Sequence, residues 1–113
     1  MTTTAQLRAT GIAGLDPAGV PTGLAGTALP FRYNHLEELE AIVDQHGDNL
    51  AAIVMEPIRS AEPEPGFLEG VRGLADETGA VLVVDEISAG LRLCTGGAHL
   101  TFGLEPDMAV FSK

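Results

Sequence analysis

Two short apolar runs, each stopped by an acidic residue and separated by one amphipathic segment, constrain this chain more than any other feature. The runs are Leu50–Met55, which gives way to Glu56-Pro57, and Ala80–Val84, which gives way to Asp85-Glu86. Between them Leu68, Val71, Leu74 and Ala75 recur at helical spacing over Phe67 to Thr78, and Gly79 is placed to end that helix. Strand, helix, strand with both strands apolar throughout is a βαβ unit, and it predicts a parallel sheet covered on both faces. Ile58 to Gly66, with Pro63 and Pro65, is expected to be a loop. A third apolar run, Met108–Phe111, follows a glycine-rich connection and leads into Ser112-Lys113. The expected class is α/β.

An earlier helix precedes this unit. Asn34 is a suitable N-cap, and Glu37 stands three residues later, where it closes a capping box. Leu36, Leu39, Ile42 and Val43 then share one face, and the helix should stop near His46-Gly47. The first 33 residues are rich in Gly, Pro, Thr and Ala with no sustained period. Residues 1–18 are therefore read as irregular and a candidate for disorder, and residues 19–113 as the folded part.

Parallel strands joined by crossovers present their C-terminal ends on one edge, and in open α/β sheets ligands bind at that edge. Glu56, Asp85 and Lys113 all fall at or just past such ends. One site holding two carboxylates and an amine is the expectation. Composition narrows what that site serves. With 6 Lys+Arg against 16 Asp+Glu the net charge is −10, and Arg8, Arg32, Arg59, Arg72 and Arg92 are scattered. No nucleic-acid surface is expected from such a chain. The single Cys94 excludes an internal disulfide framework. No apolar run approaches the roughly 18–20 residues of a membrane span, and the N-terminus lacks a signal-peptide pattern. A soluble cytoplasmic protein without a membrane partner is the expectation. His35, His46 and His99 lack metal-ligand spacing, so no metal is expected.

An apolar strand ending in Asp-Glu has three readings. It is a solvated strand end, a nucleotide hydrolase motif, or half of a cofactor site. The second needs a phosphate-cradling G-x-x-x-x-G-K-[ST] loop, and Lys113 is both the only lysine and the last residue. The third uses Asp85 and Lys113 together. A carboxylate at a strand end holds a pyridine nitrogen protonated, and a lysine amine forms a Schiff base with an aldehyde and moves protons. That is the division of labour in pyridoxal-phosphate chemistry.

The run from Gly19 to Lys113 resembles the class III pyridoxal-phosphate aminotransferases, most closely their glutamate-1-semialdehyde 2,1-aminomutase-like group. The likeness is carried by Gly19-Val20-Pro21, Tyr33-Asn34, Ile53 to Pro57, Pro65 to Arg72, Val83 to Ile87, Gly90-Leu91-Arg92, Gly96-Gly97-Ala98 and Pro106-Asp107-Met108 leading to Ser112-Lys113. It implies a partial fold-type I large domain over residues 19–113, with a mainly parallel sheet and crossover helices. It implies pyridoxal 5'-phosphate as cofactor, and a small amino or keto substrate and a homodimer for the full-length parent. Asp85 matches the aspartate that pairs with the pyridine nitrogen. Ile87, two along from it on an extended chain, matches the aliphatic residue against the ring face. Lys113 matches the lysine that joins the cofactor aldehyde. Glu56 matches a glutamate in the polar network around the ring, and Ser88 stands where many relatives carry a glutamine able to bond the ring hydroxyl.

The chain departs from that family in length. The upstream phosphate-binding segment, the earlier strands, the small domain and the glycine-rich stretch after the lysine have no counterpart. The expectation is a fragment, inactive alone, whose parent transfers or relocates an amino group. Two alternatives stay open: a non-catalytic structural or interaction fragment of the same fold, and an ATPase-type strand split from its phosphate loop. The substrate, and the choice between aminomutase and transaminase, are not legible.

Overall fold

The structure, a computed structural model, describes residues 18–113. The described residues divide into two compact units, residues 18–32 and 33–113. The expectation of disorder over the N-terminal residues falls mostly on residues 1–17, outside those described. Within the first unit, residues 18–32 are turns around one 3-10 turn, Thr22–Leu24, whose backbone bonds run from Leu24 N–H to the Pro21 carbonyl and from Ala25 N–H to the Thr22 carbonyl.

The second unit holds strands β1 (Ala52–Met55), β2 (Val81–Asp85) and β3 (Met108–Val110), with helices α1 (Leu36–His46), α2 (Phe67–Thr78) and α3 (Ala98–Thr101). The strands lie in the order β1-β2-β3 and both pairings are parallel. Ile53 faces Leu82, Met55 faces Val84, and Asp85 faces Val110. All three apolar runs thus become strands of one parallel sheet, and their C-terminal ends share an edge.

Helix α2 ends where the glycine directed it. Gly79 takes φ 74°, a left-handed conformation that a Cβ disfavours, and the chain then turns into β2. Leu68, Val71 and Ala75 bury one face of α2, and Ile53, Met55, Leu82 and Val84 bury one face of the sheet. Helix α1 packs on α2, with Leu36 lying over Gly70, where an added Cβ would clash with it.

Two expectations need correction. Asn34 does not cap α1: the capping position belongs to His35, no side chain caps the helix, and the His35 ring Nδ1 lies 2.8 Å from the Glu37 carboxylate. Asn34 instead takes φ 64° and spends its amide on a distant loop. The sheet is also not covered on both faces. Burial alternates along β1 and β2, and the face that carries Val54 is open, with Val54 61% exposed and Met108 and Val110 exposed beside it. An unbroken apolar run shows that both faces suit apolar surroundings, and here only one has them.

Candidate functional site

The sheet edge at the C-terminal ends of the strands collects the residues singled out by the sequence. Glu56 follows β1 directly, half-buried, with the exposed Arg59 guanidinium 3.5 Å from its carboxylate. Asp85 is the last residue of β2 and projects on the open face, because Val84 before it points into the core. Its Oδ1 accepts the Ile87 backbone N–H at 2.9 Å. That bond is an Asx turn, and it bends the chain straight after the strand. Ile87 therefore lies in a turn, not two along an extended chain, and the link between Asp85 and Ile87 is a hydrogen bond.

Lys113 lies three residues past β3 and its Nζ donates to Ser88 Oγ at 3.2 Å. The structure thus brings Lys113 to Ser88, three residues beyond Asp85, on the same edge. Lys113 and Asp85 form no ion pair among the described residues, and Asp85 meets the Ile87 N–H instead. Glu56 follows β1, which lies on the other side of β2 from β3, the strand that leads to Lys113.

Sequence reasoning missed the residue on which this edge is anchored. Glu86, read as half of an acidic strand end, is 1% exposed. Its carboxylate accepts the backbone N–H groups of Ala98 at 2.9 Å and His99 at 2.8 Å, and the His99 ring Nδ1 lies 2.7 Å away. Burial alone would raise its pKa, but the two backbone N–H groups and the His99 imidazole outweigh burial and hold it below the usual carboxylate range. His99 sits in the short helix α3, whose first N–H groups would otherwise lack acceptors. The signal was available: an acid beside a core-facing position, followed by Gly-Gly-Ala opening a helix.

At the opposite end of the strands, Asp107 accepts the Leu82 N–H at 2.8 Å and an Arg72 guanidinium N–H at 3.1 Å. Both bonds lower its pKa, the backbone one most. Arg72 also pairs with Asp76 at 2.8 Å. This network ties α2 to the start of β3 and lies away from the candidate edge. No group of metal-ligating side chains occurs among the described residues. None of their helices is long and apolar enough to cross a membrane.

Residues 26–113 match the family model described as Aminotransferase class-III. The glutamate-1-semialdehyde 2,1-aminomutase of Syntrophobacter fumaroxidans is 42% identical over 99 residues, which is 84% of this chain and 23% of that protein. An omega-transaminase from Sphaerobacter thermophilus superposes with a TM-score of 0.79 at 28% identity, covering 90% of this chain and 24% of the other. A transaminase solved with PLP bound gives a TM-score of 0.79 at 26% identity, over 94% and 26% of the two chains. The chain spans about a quarter of the length of the curated relatives it matches.

Proposed function

Because the chain belongs to the class III aminotransferases, we propose that it carries the lysine edge of a pyridoxal-phosphate site, and that the whole protein transfers or relocates an amino group on a small amino or keto substrate. The observation that supports this most is the gathering of Asp85, Ser88 and Lys113 on one sheet edge, with the amine on Ser88 rather than neutralised by Asp85. These residues fit the cofactor by the chemistry of the donor set. A carboxylate lies at a strand end, a primary amine and a hydroxyl lie beside it, and an aliphatic side chain follows one turn on.

Bound pyridoxal phosphate supplies an electron-withdrawing heterocycle and an aldehyde that takes up amino groups. The chain's own residues do the rest. Asp85 would pair with the pyridine nitrogen and hold it cationic, and the Ile87 N–H keeps that carboxylate aimed. Ile87 would pack against one ring face and keep water from it. Lys113 Nζ would tether the aldehyde and, once released, carry the proton to and from the substrate carbon. Ser88 Oγ accepts a hydrogen bond from that amine and would lie within reach of the ring hydroxyl. Glu56 would join the polar network from the β1 side. Of the two family activities, the aminomutase reading is favoured by the 42% identity to such an enzyme.

Equilibrium titration with pyridoxal phosphate tests the reading. Saturable binding with a visible absorbance change is expected, weakened at least about tenfold in Asp85→Ala, equivalent to about 1.4 kcal/mol. Binding of magnesium and ATP in place of pyridoxal phosphate would favour the ATPase reading, and binding of neither would favour a structural role.

A further inference from the structure

The loop from Pro57 to Gly66 leaves the candidate edge and returns to α2, and it is held by two consecutive residues from before α1. The Tyr33 hydroxyl donates to the Pro57 carbonyl at 2.6 Å. The Asn34 amide Nδ2 donates to the Glu62 carbonyl at 2.9 Å, and its Oδ1 accepts the Glu64 N–H at 2.9 Å. The Tyr33 ring also meets Phe67, the first residue of α2, edge-on, with centroids 4.9 Å apart. The loop is thereby bonded at Pro57, Glu62 and Glu64 to one dipeptide 24 to 30 residues away. Asn34 adopts φ 64° to reach both partners, a conformation that asparagine tolerates better than most side chains.

We propose that Tyr33 and Asn34 form a positioning clamp that makes the Pro57–Gly66 loop a fixed rim of the site, and so sets where Glu56 stands. The clamp stands on this geometry alone, while its bearing on the cofactor rests on the function proposed above. Three side chain–backbone bonds on one loop reach what its own sequence cannot supply, since Pro57, Pro63 and Pro65 have no N–H to donate. Without the clamp the segment would behave as a free surface loop, and Arg59 within it, 79% exposed, would be a ready protease site.

That exposure gives the test its reporter. Asn34→Gly keeps the left-handed backbone and removes both amide bonds, and Tyr33→Phe keeps the ring contact and removes the hydroxyl. Limited tryptic digestion of the full chain should show cleavage after Arg59 accelerated about tenfold in each variant, because cleavage follows the population of the opened loop. Cleavage after Arg92, on a different exposed loop, should stay unchanged. No acceleration, or equal acceleration at both sites, would overturn the clamp. Pyridoxal-phosphate affinity should then fall several-fold in Asn34→Gly and fall no further when Asn34→Gly is added to Glu56→Gln. An undiminished further loss in the Glu56→Gln background would show that Glu56 is not what the clamp positions. Failure of the unaltered chain to bind pyridoxal phosphate would sink the cofactor reading, with the cleavage ratio still deciding the clamp.

Discussion

Polar groups that the fold has taken out of water decide much of this chain's stability. Glu86 is buried and accepts two backbone N–H groups that nothing else among the described residues satisfies. Glu86→Ala should therefore cost about 3 kcal/mol in urea unfolding, since it leaves buried donors unmet. Because its carboxyl is held below the usual range in the folded state, its contribution is complete above that range and is lost as pH falls through it, from about pH 4.5 downwards. The unaltered chain should lose stability on that descent more steeply than Glu86→Ala. Tyr33 behaves in the opposite sense. Burial pushes its phenol up to about 12, so the folded state holds the proton longer than the unfolded one, and stability should fall as pH rises from about 10 to about 12. Tyr33 is the only tyrosine, so the ultraviolet titration of tyrosinate reads it directly. A folded-state midpoint near 10 would remove the buried hydroxyl from the clamp. Neither residue's role was legible in the sequence, because both depend on partners ten or more positions away. Asn34 shows the same limit: its local pattern fits a helix cap, and a loop thirty residues downstream outbid that use.

Among the elements, what periodicity governs was readable and what side chains negotiate across the fold was not. The helix over Phe67–Thr78 and the three strands follow from apolar spacing and glycine placement. The course of the chain after β2 did not, because the Asx turn at Asp85 overrides the extended geometry that the strand suggests. Two substitutions probe this level. Val71 is fully buried where α2 meets the sheet, and Val71→Ala should cost about 2 kcal/mol. Gly90→Ala should be destabilising by about 1–3 kcal/mol, because its Cβ would lie 2.7 Å from the Glu86 carbonyl oxygen and 2.7 Å from the Phe111 ring. Thermal unfolding of each variant measures both, and a neutral Gly90→Ala would mean that the turn after Glu86 is not closely packed.

Over the whole second unit the sheet is one-sided. Leu82 on the covered face is fully buried and Val54 on the open face is 61% exposed, although both sit mid-strand in equally apolar runs. Leu82→Ala should thus cost about 3 kcal/mol, while Val54→Thr should change stability by less than about 0.5 kcal/mol. A large loss in Val54→Thr would mean that the open face is covered in solution. Asp85 lies on that open face, at the edge where Lys113 rests on Ser88. We propose this amine as the attachment point for pyridoxal phosphate, and as the sole lysine it is the one side-chain amine in the sequence. The chain would be mixed with pyridoxal phosphate, reduced with borohydride, digested and weighed by mass spectrometry. A stable cofactor adduct is expected on the peptide ending at Lys113, abolished in Lys113→Ala. An adduct confined to the N-terminal amine, or a yield that Lys113→Ala leaves unchanged, would contradict that attachment.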